Sequence, residues 1–82
     1  MENWKEENNA LYKTFVFASF EDAMAFMQSA ATKISALNHH PEWSNVYNKI
    51  TVRLTTHDAG NTVTEKDRKL AALLDKVFES MI

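Results

Sequence analysis

The chain contains no cysteine, one glycine and one proline among its 82 residues. Without cysteine, neither a disulfide nor a thiolate zinc site can staple the fold. So little glycine and proline argues for an ordered domain rather than a linker-rich or disordered chain. Lysine and arginine form no run, and the formal net charge is −2. The electrostatic footprint of a nucleic-acid binder is therefore missing, and no direct nucleic-acid partner is expected. No apolar run approaches the ~20 residues that a membrane-crossing helix needs, so no membrane partner is expected either. The opening Met1-Glu2-Asn3-Trp4-Lys5-Glu6-Glu7 is polar and acidic, unlike the basic and then apolar succession of a secretory signal. Repeats and low-complexity segments are absent. These exclusions leave a single domain over residues 1–82, with a reducing, cytoplasmic location expected. A domain this small buries a limited core, so self-association is the natural further source of stability.

What is present is patterned. Residues 4–7 suit a short edge strand, and Asn8-Asn9 suits a turn, because asparagine tolerates positive φ. In residues 11–17, Leu11, Lys13, Phe15 and Phe17 point one way, and Tyr12, Thr14 and Val16 the other. Both faces carry apolar groups. One face belongs under a helix; the Tyr12/Val16 face, or the strand edge, is either lightly exposed or meets a second subunit. Residues 19–38 read as a helix, with Ser19 as N-cap and Asp22 at the third helical position. Ala23, Phe26, Met27, Ala30, Ala31, Ile34 and Leu37 form its apolar stripe. Pro41 explains why the helix stops near Asn38, since the residue before a proline avoids the helical region.

Residues 43–47 and 50–56 read as a hairpin around Asn48-Lys49. In that register Tyr47 faces Ile50, Trp43 faces Leu54 and His57 falls opposite His40, with opposed Cβ atoms ~5 Å apart. Residues 57–61 form a loop in which Gly60 is free to take positive φ. Residues 64–81 make a second helix, with Thr64 as N-cap, Asp67 as the reciprocal capping residue, and a stripe of Leu70, Leu73, Leu74, Val77, Phe78 and Met81. The order β-β-α-β-β-α predicts an α+β fold: a four-stranded antiparallel sheet with both helices packed on one face.

Two of the three histidines sit side by side in Asn38-His39-His40-Pro41-Glu42-Trp43, and the hairpin returns the third, His57, towards them. Imidazole gives and takes protons near neutral pH. Three converging rings suit either a zinc site with an open position or metal-free acid–base catalysis. The plain alternative is that His39 and His40 merely end a helix, where positive charge is favoured. Neighbouring residues diverge on a regular element, so the spacing favours acid–base work over metal. Other side chains have ordinary explanations beside functional ones. Trp43 stacks on a flat ligand or packs in the core. Asp58 orients His57 or solvates the loop. Asp67 is a site carboxylate or simply the cap of its helix, and the capping role explains it without a ligand; Tyr47 is accounted for by hairpin packing, and Arg53 has no identifiable partner.

The same blocks resemble the pterin-4a-carbinolamine dehydratase family: His39-His40-Pro41-Glu42-Trp43, Asn45-Val46-Tyr47-Asn48, Leu54-Thr55-Thr56-His57-Asp58, and Asp67 early in the last helix. The spacing between them agrees as well, and a looser match runs over residues 12–17 and the first helix. One position departs. Members usually carry a charged residue, often glutamate, four places before the first histidine; here that place is Ser35. The resemblance implies dehydration of a 4a-hydroxytetrahydropterin to quinonoid dihydropterin, with no metal and no added cofactor. That reaction recycles the pterin used by aromatic amino acid hydroxylases. The resemblance also implies a homodimer or homotetramer joined through sheets. It assigns catalysis to His39, His40 and His57, and pterin contacts to Pro41, Trp43, Thr56, Asp58 and Ala59. Some relatives act instead as dimerisation or assembly cofactors for other proteins, which is the alternative expectation.

Overall fold

The computed structural model describes residues 3–81. Its elements are β1 (Lys5–Glu7), β2 (Ala10–Val16), α1 (Phe20–Leu37), β3 (Glu42–Val46), β4 (Lys49–Leu54) and α2 (Glu65–Ser80), with a 3₁₀ turn at His57–Ala59 between the last two. Asn8 and Asn9 take φ of 51° and 62°, so the expected asparagine turn reverses the chain between β1 and β2. The four strands are antiparallel throughout, in the order β1-β2-β4-β3. The fold is thus the α+β architecture expected from the sequence.

Alternation decides which side of the sheet is covered. Leu11 and Phe15 on β2 and Ile50, Val52 and Leu54 on β4 are buried against Ala23, Phe26, Ala30 and Ile34 of α1 and Leu70, Ala71, Leu74 and Val77 of α2. Phe15 lies 5.0 Å from Phe26 and 5.1 Å from Phe78, centroid to centroid, within the range where aromatic pairs add to plain area burial. Lys13 also faces inward. Its ammonium meets Asp75 Oδ1 of α2 at 2.6 Å, and the indole N–H of Trp4 donates to Asp75 Oδ2 at 2.9 Å. One carboxylate therefore ties the N-terminal segment and β2 to α2. The opposite sheet face is open, and Val16 and Val46 stand well exposed there.

Two local expectations are corrected. Helix α1 ends because Asn38 adopts the left-handed region at φ 57°, its N–H donating to Ile34 O and Ser35 O. An asparagine in this conformation caps the helix by itself, and Pro41 comes too late to be the cause. The β3–β4 turn is centred on Tyr47-Asn48 rather than Asn48-Lys49. Val46 pairs with Lys49, Asn45 (not Tyr47) with Ile50, and Trp43 with Val52 instead of Leu54. Tyr47 takes φ 53°, the positive value that two-residue hairpins require at their first central residue. Asn45 Nδ2 fastens the turn by donating to Tyr47 O and Lys49 O. Asn48 is occupied elsewhere: its Nδ2 donates to Phe17 O and its carbonyl accepts from Phe17 N–H, both at 2.8 Å.

Candidate functional site

The register offset is two residues, so the paired side chains of β3 and β4 keep their predicted faces, Tyr47 alone moving into the turn, and the chain after β4 still returns to the end of α1. There a cleft of about 220 Å³ is lined by Asn38, His39, His40, Thr55, Thr56, His57, Asp58 and Lys66. All three histidines line it. His39 is half-buried and His40 is exposed, both on the segment that leaves the Asn38 cap. The His57 side chain is 72% exposed on the 3₁₀ turn, ready to meet a solute. Of the residues expected to contact a ligand, Thr56 and Asp58 line the cleft; Pro41, Trp43 and Ala59 do not. The half-buried Trp43 ring instead packs against the core.

Two of the rings are fixed by a specific neighbour. His39 Nε2 lies 2.6 Å from Asp67 Oδ1. Asp67 is fully buried, and its other oxygen accepts from Thr56 Oγ1 at 2.7 Å and from the Thr64 N–H at 2.9 Å. The Thr56 and Thr64 hydroxyls are themselves 2.7 Å apart. Burial opposes ionisation of Asp67. The hydrogen bonds from His39, the Thr64 N–H and Thr56, with the charge of His39, outweigh it and leave the carboxyl below its ordinary value. An ionised Asp67 makes His39 Nε2 the N–H donor, so in the neutral ring the lone pair sits on Nδ1. His57 Nδ1 lies 2.7 Å from Asn61 Oδ1. It donates to that amide oxygen, and Nε2 is then the nitrogen with the lone pair.

Sequence reasoning set Asp67 aside as a helix cap and did not single out Asn61 or Lys66 for the site. Asp67 does cap α2, with its carboxylate on the Thr64 N–H, and this sufficient local role concealed the second one. A fully buried carboxylate with three donors is itself the signal, but burial was not legible from its neighbours. Asn61 sits four residues beyond His57, a spacing that a 3₁₀ turn followed by the left-handed Gly60 converts into a contact. Among the described residues, no group of three or more His, Asp or Glu side chains is disposed to hold a metal ion.

Residues 1–77 match the family model for pterin 4 alpha carbinolamine dehydratase. The chain belongs to that family. A protein of Opitutus terrae, provisionally named pterin-4-alpha-carbinolamine dehydratase, is 54% identical over 94% of this chain and 79% of its own length. The crystal structure of a transcriptional coactivator/pterin dehydratase from Brucella melitensis superposes with a TM-score of 0.86 at 38% identity, over 93% of this chain and 82% of that one. A pterin dehydratase-like protein identified as a RuBisCO assembly factor in the alpha-carboxysome shares the fold, with a TM-score of 0.75 at 21% identity over 92% of this chain and 86% of its own. Within this dehydratase family the departure at Ser35 has a clear location. Ser35 is exposed on the last turn of α1, where its carbonyl accepts from the Asn38 N–H, and it is not among the residues lining the cleft. No helix among the described residues is long and apolar enough to cross a membrane.

Proposed function

We propose that the protein dehydrates a 4a-hydroxytetrahydropterin to the quinonoid dihydropterin and water, by histidine acid–base catalysis without an added cofactor. The observation that carries this reading is the convergence of three imidazoles on one cleft, one of them held by a buried ionised carboxylate. Family membership supplies the substrate class.

The hydroxyl on C4a is a poor leaving group until it is protonated, and the new double bond needs a proton to leave a pterin nitrogen. His39 suits the second task. Asp67 holds its Nε2–H, which reserves Nδ1 as the proton acceptor and stabilises the imidazolium formed when it takes the proton. His57 suits the first. Asn61 fixes Nδ1–H, and Nε2 carries the proton that is delivered to the departing hydroxyl. The C–O bond breaks with its electron pair leaving as water, and the lone pair on the deprotonated nitrogen forms the C=N bond. His57 ends neutral and His39 ends protonated; exchange with solvent restores both. His40, at the rim, binds the pterin, as do Thr56 and Asp58 on the wall. Pro41, Trp43 and Ala59 contribute by shaping the segments that carry His40 and His57. Such a reaction regenerates the pterin consumed by an aromatic amino acid hydroxylase, and a cytoplasmic homodimer or homotetramer is the form in which we expect it.

A second reading, as an assembly or dimerisation cofactor for another protein, is favoured by the exposed Val16, Val46 and Tyr47 near the β3–β4 turn, which are 53%, 74% and 65% accessible. Turnover separates the two. Freshly generated 4a-hydroxytetrahydropterin is followed by ultraviolet absorbance with wild type and His57→Ala, both in chelator. Wild type accelerates the loss of water, and the variant falls by about 10²–10⁴-fold with its fold intact. Wild-type turnover in His57→Ala would overturn the assignment of this histidine. No acceleration by the folded wild type would move the function to protein binding.

A further inference from the structure

The residue opposite Arg53 on β3 is Glu42, and the residue opposite Arg53 on β2 is Tyr12. The sheet register alone thus lays Tyr12, Arg53 and Glu42 in one row across the open face, ending at the edge strand. The side chains are joined along this row. Arg53 Nε donates to the Tyr12 hydroxyl at 3.1 Å, and Arg53 Nη1 donates to both oxygens of Glu42 at 3.0 Å. With one guanidinium nitrogen on both oxygens and a second nitrogen on a phenol, the carboxylate is held from behind. Beyond it, Glu42 Oε1 lies 3.9 Å from Nε2 of His57. That is the free nitrogen of His57, because Nδ1 is engaged by Asn61.

We propose that Glu42 is a positioning residue for His57: it favours the protonated ring that delivers a proton to the leaving hydroxyl, and Arg53 sets how strongly it does so. The inference rests on the dehydratase reading above. At 3.9 Å the carboxylate is outside hydrogen-bond reach, so it biases the charge of Nε2 without occupying the nitrogen that must face the substrate. Arg53 draws on the same carboxylate and limits this bias. The other charged and titratable groups at His57 are Asp58, its chain neighbour, and His39, His40 and Lys66, which line the same cleft. Asp58 acts in the same sense as Glu42, and Lys66 in the opposite one.

The proposal predicts effects of opposite sign along the row. Glu42→Gln removes the negative charge. The turnover number falls by up to about fivefold, the fold-change that corresponds to an exposed charge pair, KM changes little, and the alkaline limb of the pH profile moves to lower pH. Arg53→Gln frees the carboxylate, and the same limb moves to higher pH. A merely structural row predicts instead that both variants lose stability, which thermal unfolding reads, with the limb unmoved. The His57 ring resonances are titrated by NMR in all three proteins, a readout that needs no turnover. Opposite displacements of the His57 titration uphold the coupling. Displacements in the same direction, or none, overturn it. A coupled titration in a protein that does not accelerate dehydration would place the failure in the dehydratase reading and not in the row.

Discussion

Replacing Asp67 by asparagine separates the electrostatic role of this carboxylate from its structural one. In the native protein Oδ2 accepts from both Thr56 Oγ1 and the Thr64 N–H, while Oδ1 faces His39 Nε2. An asparagine keeps two of these three contacts only with its oxygen in the Oδ2 place. Its NH₂ group then points at His39. That group is a donor, so Nε2 must become the acceptor and the neutral ring must carry its proton on Nδ1. The nitrogen assigned to accept the substrate proton is thereby blocked. The cost in stability is that of exchanging charge-assisted hydrogen bonds for neutral ones in a buried place, about 1–2 kcal/mol. Alanine would be far worse. It takes the acceptor from the His39 Nε2–H and the Thr64 N–H, both part-buried, at about 1–3 kcal/mol each, and leaves the buried Thr56 hydroxyl only its Thr64 neighbour.

Asp67→Asn therefore yields a folded protein whose turnover falls by about 10²–10⁴-fold, whereas its melting temperature falls only modestly. The sign of the pH dependence follows from the depressed carboxyl. A group whose folded pKa lies below its ordinary value of 3.8 contributes stability that is present above the unfolded value and lost as pH falls through the folded one. The stability gap between wild type and Asp67→Asn is therefore widest at neutral pH and closes on acidification below about pH 4. Nitrogen-15 NMR of the imidazole reports the tautomer directly. An Asp67→Asn protein with native turnover, or with its His39 proton still on Nε2, would refute the reasoning.

Two further predictions concern the frame. Asp75→Ala strands the Lys13 ammonium, whose side chain is 14% exposed, and unpairs the Trp4 indole; we expect a loss of about 1–3 kcal/mol in urea unfolding, with turnover of the folded protein unchanged. An undiminished midpoint would show that the Trp4–Asp75–Lys13 cluster does not hold the N-terminal strand. Tyr47→Asn should raise stability by about 0.5–1 kcal/mol, because a left-handed residue other than glycine or asparagine costs about 1–2 kcal/mol and Tyr47 is too exposed to lose much packing. A lower melting temperature for that variant would mean that the tyrosine ring contributes more than its conformation costs.

Both helices and the inward face of the two central strands were legible because they rest on local periodicity. The 3.6-residue spacing of Phe26, Ala30 and Ile34, or of Leu70, Leu74 and Val77, needs no knowledge of distant chain. The asparagines at positions 8 and 9 were equally readable, since their side chains suit the backbone they adopt. Long-range pairing was not readable in this way. Arg53 had no identifiable partner because its partners come from β2 and β3, and only the register of β4 against both strands brings Tyr12 and Glu42 to it. Asp67 was obscured for a different reason. It satisfies a local capping rule completely, so its place among the residues that carry the family resemblance had a sufficient explanation without a second role. The same carboxylate caps α2 and orients His39, so the start of the helix and the position of the ring are set together.

The hairpin shows why the histidine cluster survived a mistaken turn. Asn48-Lys49 is the centre that the sequence suggests, with Tyr47 as the last residue of its strand, and tyrosine is a poor residue at positive φ. The chain nevertheless puts Tyr47 there, since Asn48 is committed to Phe17 through both its side chain and its carbonyl. Moving the centre back by one residue changes each pairing by two, and two is the period of a strand. Trp43 and Val52 still face the helices, and the chain after β4 still returns His57 to the cleft that His39 lines. An odd displacement would have turned Val52 and Leu54 to solvent and removed about 1.5–3 kcal/mol of burial for each. The core therefore excludes odd registers by energy, while the even alternatives are decided by a few hydrogen bonds at the turn. The site depends on the parity that the core enforces, and this is why three histidines could be placed together before the turn itself was known.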